Sequence, residues 1–317
     1  MGYSEKVLGV WDSDDSNFSH QRLTNHNCPR ILFTHFGKPP ASTLITFEGL
    51  AIMDKHLSQE AARTIWGNWQ NNTKLDELPT AYRPQNRQEG YAVQAMLPMV
   101  ASRTVLGWKI AATSAVGQAH INVSGPMAGR ILSGQVLQDG DEVPVHGNWM
   151  RVAEPEIAFV MRSDLVARTI AYSLDEVMQA VGALHPSLEI PNSRYSVFTA
   201  VGEAQLLADN ACAHQFILGP QAPESWRDID LSKHAVHAQV TASNGAVWKR
   251  EGTGAAVLGD PRIALTWLAN ELTSQGINLH AGQFVTTGTC MTPLELNSGD
   301  TVDADFGVLG RVGLRFR

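Results

Sequence analysis

The predicted strands of this chain come in runs and hairpins and do not alternate with helices. After Gly107, only two helical segments interrupt the strand-like sequence, and they begin at Ser173 and Asp260. Ser173 opens an S-x-x-E capping box, and the proline after Asp260 favours the first position of a helix. We expect these helices to end near Leu184 and at Gly276. Because a doubly wound sheet needs a helix after nearly every strand, the pattern predicts an α+β fold. The predicted strands are 107–112, 152–161, 235–241, 246–250, 283–287, 301–306 and 311–316.

The N-terminal third of the sequence has a different texture. The stretch 12–17 is polar and without period, Pro39-Pro40 interrupts the chain, and only 30–34 and 43–47 could be short strands, so we expect residues 1–50 to be a poorly ordered extension. Helical periodicity begins at Ser58, which could cap a first helix, and a second helix is predicted for residues 87–101, where Pro98 would kink or end it. The predicted division is an N-terminal extension (1–50), a helical cap (51–106) and a β-rich domain (107–317).

Composition excludes several classes of protein. Hydrophobic residues make up 44% of the 317 positions and charged residues 17%, which is enough for a packed core and too apolar for a disordered chain. The net charge of −7 argues against a nucleic-acid partner, which needs a basic face. No apolar run approaches the roughly 20 residues of a membrane span, and the N-terminus lacks the pattern of a secretory signal. We therefore expect a cytoplasmic protein with no membrane partner.

The most informative strand carries two glutamates, Glu154 and Glu156, beside an apolar segment. Side chains two apart on a strand point to the same face, so both carboxylates project together. Like charges that are buried at close range repel each other unless a cation lies between them. The alternative is an exposed strand end with two solvated glutamates.

Glu189 is a candidate third carboxylate. Its neighbours Leu188 and Ile190 are apolar, so a second strand could bring it alongside the glutamate pair. Carboxylates without a histidine or cysteine partner select Mg²⁺ or Mn²⁺ over zinc. Three such ligands would leave half of an octahedral shell open, which suits a bidentate substrate and water. The alternative is a lone charged residue at a strand edge.

Two further polar residues are candidates for a substrate pocket. Lys109 lies in an apolar strand between Trp108 and Ile110, which is an unusual place for a lysine. Near a bound metal, it could orient an anionic substrate or move a proton; otherwise its charged end would reach water. Asn210, which follows Asp209, could support a polar pocket or merely form a turn.

Seven short motifs now add up to a known family. They occur in one order, and the match covers about residues 55–317. The series resembles the 2-keto-4-pentenoate hydratase and 4-oxalocrotonate decarboxylase group of the fumarylacetoacetate hydrolase superfamily. The motifs are Gly107-Trp108-Lys109-Ile110, Glu154-Pro155-Glu156-Ile157-Ala158-Phe159, Leu188-Glu189-Ile190-Pro191-Asn192-Ser193-Arg194, Ala208-Asp209-Asn210-Ala211, Gly254-Ala255-Ala256-Val257-Leu258-Gly259-Asp260-Pro261, Trp267-Leu268-Ala269-Asn270 and Ala281-Gly282.

The resemblance implies a fold and a set of site residues. The fold would be a mixed β-roll, which forms the catalytic domain, with an N-terminal helical cap. Glu154, Glu156 and Glu189 would hold Mg²⁺ or Mn²⁺, Lys109 would be catalytic, and Thr113 would contact the substrate. Met127 and Asn210 would also line the substrate pocket.

The resemblance also implies a reaction class. The substrate would be a small 2-oxo acid, or its dienol, from the catabolism of aromatic compounds, and the metal would stabilise an enolate. We expect a hydro-lyase that hydrates 2-hydroxypenta-2,4-dienoate, with decarboxylation of a 4-oxalocrotonate-type substrate as the alternative. A carbon–carbon bond hydrolase and a non-catalytic 2-oxo-acid binder are further alternatives. We also expect a homo-oligomer.

One position departs from the hydratase pattern. Similar hydratases often carry aspartate after the proline of the segment Gly125-Pro126-Met127, and this aspartate is thought to help with protons or water. Here the residue is Met127, which resembles the decarboxylase branch. This departure weakens the case for hydration and leaves the metal-dependent enolate chemistry unaffected.

Overall fold

A computed structural model describes residues 53–317, and the predicted extension, residues 1–50, lies outside them. The described part contains both helices and sheets, which confirms the α+β class. The helices are α1 (Lys55–Asn71), α2 (Arg87–Ala101), α3 (Ala115–His120), α4 (Leu174–Gln179), α5 (Glu203–Ala208) and α6 (Pro261–Ser274). The strands are β1 (Val105–Ala111), β2 (Met127–Leu132), β3 (Val136–Gln138), β4 (Glu142–Val143), β5 (Val152–Met161), β6 (Val181–Ile190), β7 (Gln215–Leu218), β8 (Ala235–Thr241), β9 (Val247–Thr253), β10 (Phe284–Thr289), β11 (Leu294–Glu295), β12 (Thr301–Asp305) and β13 (Arg311–Phe316).

The two N-terminal helices, α1 and α2, pack against each other. Apolar residues at helical spacing, among them Ala61 and Ile65 on α1 and Val93 and Leu97 on α2, form a small core of their own. This arrangement follows from the amphipathic stripes in the sequence, since each helix can bury its apolar face only against a neighbour.

The first helix begins earlier than the sequence predicts. Its N-cap is Asp54, whose carboxylate accepts a hydrogen bond from the backbone N–H of His56. The predicted cap, Ser58, is instead buried inside the helix. Both residues are good capping types, and the apolar stripe alone does not distinguish between starting points one turn apart. In α2, Pro98 lies in the last turn, and the helix ends at Ala101.

The larger sheet positions the candidate site. Its strands follow the order β2-β1-β10-β5-β6-β7-β3, and β11 adds to β5. The pairing is mixed: β1 runs parallel to β10, whereas β5 is antiparallel to both β10 and β6. A second sheet of five strands has the order β4-β13-β12-β8-β9. The main hydrophobic core includes residues from both sheets and from α6.

A proline interrupts the ladder in the middle of the larger sheet. Pro155 lies on β5, and its carbonyl accepts from the N–H of Cys290, just beyond β10. The regular pairing of β10 with β5 shifts between Thr286 and Thr289. Because the N and C=O of a strand residue point to the same side, the missing N–H of Pro155 falls at this irregular stretch. The proline therefore lies at a position where its missing N–H costs no regular hydrogen bond between β5 and β10.

The structure also corrects the predicted end of the helix at Ser173. Ser173 and Glu176 form the predicted capping box, but the helix ends at Gln179, and the residues from Val181 onwards belong to β6. Asp260 caps α6 as predicted, with Pro261 at its start. Between residues 53 and 317, no helix combines the length and the apolar character needed to cross a membrane.

Candidate active site

The three predicted glutamates meet inside the larger sheet. Glu154 and Glu156 project from one face of β5, and Glu189 on β6 lies directly opposite Glu154 in the ladder. One carboxylate oxygen from each lies within 4.8 Å of the other two. Glu156 and Glu189 are 1% and 0% exposed, and Glu154 is partly buried. Strand alternation and register thus bring three acidic groups to one point.

Few hydrogen bonds reach these carboxylates. Oε2 of Glu156 accepts from the backbone N–H of Gly288 at 3.0 Å. Within residues 53–317, Oε1 of Glu156 and Oε2 of Glu189 have no donor, although both are fully enclosed. Buried polar atoms are nearly always satisfied, so unpartnered carboxylate oxygens at one point require an explanation. A divalent cation is the partner that fits three hard oxygen ligands.

Burial dominates the electrostatics of the site. It raises the pKa of each of the three glutamates, and it raises that of Glu189 to about 8. For Glu156, the neighbouring carboxylates Glu189 and Glu154 raise the pKa further. The charged forms are costly here because water is excluded and the charges are alike. A cation at the centre would remove this cost.

Lys109 on β1 supplies one positive charge. Its Nζ lies 2.9 Å from Oε1 of Glu189 and donates a hydrogen bond to the carbonyl of Ala211 at 3.0 Å. Burial acts to lower the pKa of Lys109, but the three carboxylates outweigh it and raise the pKa above its usual range. The side chain is 3% exposed, so its charged end does not reach bulk water. Its place in a substrate pocket stays a prediction.

A turn with unusual backbone geometry presents the acceptor to Lys109. Asn210, Ala211 and Cys212 have φ angles of 57°, 50° and 61°. Left-handed conformations cost a non-glycine residue roughly 1–2 kcal/mol each, so the surroundings must impose them. The buried ion pair of Arg194 with Asp209, just before the turn, fixes one end of it. The result is a carbonyl aimed at a buried ammonium.

Two glycines allow close approaches at the site. A Cβ on Gly129, which pairs with Lys109, would lie 3.0 Å from the lysine side chain. Gly288, with φ of 109°, lies against Thr113, whose Oγ1 would be 2.2 Å from a Cβ at that position. Thr113 is therefore next to the peptide that binds Glu156. The contact of Thr113 with a substrate stays a prediction.

Met127 lies on the same sheet face as Lys109. In the β1–β2 ladder, Lys109 pairs with Gly129 and Ala111 with Met127, so the two β2 residues share a face. The Met127 side chain is 1% exposed and packs in the main apolar core. An apolar residue thus occupies the position where the sequence comparison expects an aspartate in hydratases.

The side chain of Asn210 binds the backbone of strand β2. Its Oδ1 accepts from the backbone N–H of Arg130, and its Nδ2 donates to the carbonyl of Arg130, both at 2.7 Å. Both polar groups of the side chain are therefore occupied by strand β2. The geometry makes Asn210 a support for β2, and direct contact of its amide with a substrate stays a prediction.

Sequence reasoning missed Gly288 and the Ala211 carbonyl. The segment Thr286-Thr287-Gly288-Thr289 lacks the lysine of a phosphate-binding loop, so it does not predict a ligand for the backbone of Gly288. A glycine inside a strand often marks a close approach of the backbone to another group. Gly288 could have been recognised in this way, whereas the side chain of Ala211 gives no indication that its carbonyl binds a lysine.

Comparison with known proteins identifies the family. Residues 124–317, more than half of the chain, match the family described as "Fumarylacetoacetate (FAA) hydrolase C-terminal". The chain belongs to the fumarylacetoacetate hydrolase family. The predicted resemblance and fold are thereby confirmed, and the convergent glutamates lie within the matched part.

Named relatives within the family include two kinds of enzyme. The chain is 29% identical to a 2-keto-4-pentenoate hydratase of Paraburkholderia xenovorans (strain LB400), over 81% of this chain and 94% of that protein. It is 31% identical to a 4-oxalocrotonate decarboxylase of Pseudomonas putida, over 67% of this chain and 77% of the relative.

A solved structure shares the fold over nearly its whole length. It is the 4-oxalocrotonate decarboxylase of Pseudomonas putida G7 complexed with magnesium and adipate, at a TM-score of 0.74 and 26% identity. The match covers 83% of this chain and 98% of that one. The same decarboxylase is also known with calcium and acetate.

Proposed function

We propose that this chain is a divalent-metal-dependent lyase of 2-oxo acids or their dienols, and that it hydrates 2-hydroxypenta-2,4-dienoate. The observation that carries the proposal is the convergence of Glu154, Glu156 and Glu189 beside Lys109. The hydratase relatives support the choice of substrate class. In this proposal, residues 51–106 form a helical cap, and residues 107–317 form the catalytic domain.

The carboxylates fit Mg²⁺ or Mn²⁺ as the resident metal. The donor set contains only oxygen atoms, and two of the enclosed oxygens, one on Glu156 and one on Glu189, have no hydrogen-bond donor in the described chain. Zinc would favour nitrogen or sulfur ligands, whereas Mg²⁺ and Mn²⁺ prefer carboxylates. When bound, such an ion would act as a Lewis acid and stabilise the negative charge that develops on the 2-oxygen of the substrate.

Lys109 would bind and orient the substrate. An ammonium has three N–H donors; one is used by the carbonyl of Ala211, and a second can point to Glu189. A further donor remains for a carboxylate or enolate oxygen. Because Lys109 is buried, its positive charge acts with little screening from water. Its proton is placed to move to or from the substrate.

The other residues of the proposed pocket bear on the addition of water. Addition of water across the conjugated double bond needs a group that places or deprotonates that water. Thr113 offers a hydroxyl beside Gly288. Met127, on the Lys109 face of β2, offers no polar atom suited to proton transfer.

Met127 favours a second candidate function, the decarboxylation of a 4-oxalocrotonate-type substrate. Loss of CO₂ requires an electron sink at the 2-oxygen and no positioned water. An apolar wall beside the departing carboxylate favours its release as a neutral molecule. The decarboxylase relatives make this the direct competitor of hydration.

The test is turnover of both substrates by the purified, Mg²⁺-loaded chain. Hydration converts the dienol to 4-hydroxy-2-oxopentanoate, which mass spectrometry detects as a gain of one water. Decarboxylation releases CO₂ from 4-oxalocrotonate. We expect hydration to be the faster reaction, and we expect Lys109→Met to slow it by roughly 10²–10⁴-fold. Failure of the Mg²⁺-loaded protein to turn over either substrate would contradict the proposal.

A further inference from the structure

Strand β2 lies at one edge of the larger sheet, yet its outer backbone groups are not left to solvent. It pairs only with β1 among the described strands. On its outer side, the N–H and C=O of Arg130 bond to Asn210. The N–H of Ala128 donates to the hydroxyl of Tyr91 at 3.1 Å, and its C=O accepts from Nε2 of Gln94 at 2.9 Å. Side chains thus take the place of a neighbouring strand.

Three of the side chains that hold β2 come from one face of helix α2. Arg87, Tyr91 and Gln94 are four and three residues apart, the spacing that aligns side chains on a helix. The guanidinium of Arg87 donates to the carbonyl of Pro126 at 2.6 Å. Helix α2 therefore binds the peptide groups on both sides of Met127, at Pro126 and at Ala128.

Arg87 is itself fixed by two acidic residues from other elements. Its guanidinium pairs with Glu271 on α6 at 2.8 Å and with Glu203 at the start of α5. It also donates to the hydroxyl of Tyr91 at 3.3 Å. All four side chains are at most partly exposed, which reduces screening of the charges. The hydrogen bonds from α2 to β2 thus depend on ion pairs with α5 and α6.

We infer that Arg87 and Tyr91 are positioning residues that set where the side chain at position 127 stands in the substrate pocket. The inference rests on the proposed function, in which residue 127 forms part of that pocket. Neither residue needs to touch the substrate. Both act through the Pro126 and Ala128 peptide groups, and through them on Met127, which shares a sheet face with Lys109.

A double-mutant cycle tests this coupling. Tyr91→Phe removes the hydroxyl that accepts from the N–H of Ala128 and from Arg87. We expect kcat/KM for the dienol to fall about three- to tenfold, on the order of one lost hydrogen bond to strand β2. In a Met127→Ala background, the same substitution should cost less than twofold, because the side chain that it positions has been removed. The matched control is Tyr82→Phe. It removes a hydroxyl elsewhere in the cap, which lies 3.1 Å from Oγ1 of Thr64.

A second readout does not depend on turnover. In protein labelled with [methyl-¹³C]methionine, Tyr91→Phe should shift the methyl resonance of Met127, whereas Tyr82→Phe should leave it in place. Equal costs of Tyr91→Phe in the two backgrounds, or an unmoved Met127 resonance, would overturn the inference. Because the resonance is read without substrate, failure of the inference is distinguishable from failure of the proposed function.

Discussion

Glu154 and Glu189 stand directly opposite each other across the β5–β6 ladder. Like charges in this position destabilise a sheet, and Glu156, two residues further along β5, adds a third carboxyl group to the same point. This arrangement lowers the stability of the metal-free fold, so stability does not explain it. The cost is explained if the site exists to bind a cation.

The first prediction follows from this repulsion. Glu156→Gln keeps the shape of the side chain and removes one negative charge, so the metal-free variant should unfold at a temperature equal to or above that of the metal-free wild type. Addition of Mg²⁺ should raise the unfolding temperature of the wild type much more than that of the variant. Calorimetry with and without chelator measures both effects. A metal-free variant that is several degrees less stable would contradict this account.

The second prediction separates the two candidate reactions. Met127→Asp should raise hydration of 2-hydroxypenta-2,4-dienoate and lower any decarboxylase activity, because the new carboxylate can handle water. Parallel assays of both reactions measure the ratio. Met127→Leu is the control for a change of shape without a charge, and the unfolding temperature of each variant checks that the buried aspartate is tolerated.

A particular result would show that Met127 does not discriminate between the reactions. If the wild type hydrates rapidly and the aspartate variant is slower, another group handles the water. Lys109, which lies against Glu189, and Thr113, which lies against Gly288, are the residues to examine in that case.

The third prediction concerns Asn210. Asn210→Ala removes both hydrogen bonds to Arg130 and leaves an alanine in the left-handed region, so it should lower the free energy of unfolding by about 2–4 kcal/mol. Urea unfolding measures the loss. Asn210→Asp should retain the bond from the Arg130 N–H and lose the other. A stable Asn210→Ala protein with a raised KM would instead support direct substrate binding by Asn210.

The fourth prediction concerns pH. Burial, helped by the charge of Arg194, lowers the pKa of His214 to about 3. The ring packs against Trp69, with centroids 4.9 Å apart and the planes tilted by 34°. The unfolded chain takes up this proton near pH 6.5, whereas the folded chain does not. The contribution of His214 to the free energy of unfolding is therefore fully present above about pH 6.5, and it is lost progressively as the pH falls below that value.

The His214→Gln variant tests this linkage. Between pH 7 and pH 5, it should lose about 2 kcal/mol less unfolding free energy than the wild type. Chemical unfolding at several pH values measures the difference. Parallel stability curves for the two proteins would contradict the assignment.

The sequence predicts the strands with clear periodicity and misses those without it. β5, β8 and β13 have their predicted bounds, since apolar and β-branched residues dominate them. β6 was predicted in part as helix because it follows a strong capping box at Ser173, and it contains His185 and Pro186. It is a strand because β5 and β7 hold it on both sides. Such pairing is set by tertiary packing, which local patterns do not contain.

The site shows the same division. The shared face of Glu154 and Glu156 follows from strand alternation, and the apolar neighbours of Glu189 indicate a strand. The role of Asn210 in holding β2 could not be predicted, because it depends on left-handed backbone geometry and on a partner 80 residues away. Polar residues next to a turn have several possible partners, and only the register of distant strands selects one.

The most direct test of the central claim is a count of bound metal ions. Mn²⁺ titrated into the metal-free protein can be followed by electron paramagnetic resonance, which distinguishes free from bound ion. We predict one tightly bound Mn²⁺ per chain, displaced by Mg²⁺. In the Glu154→Gln/Glu189→Gln double variant, we predict a loss of affinity beyond the roughly 10–100-fold typical of losing an outer-shell partner. Unchanged binding in the double variant, or no stoichiometric binding in the wild type, would contradict the account.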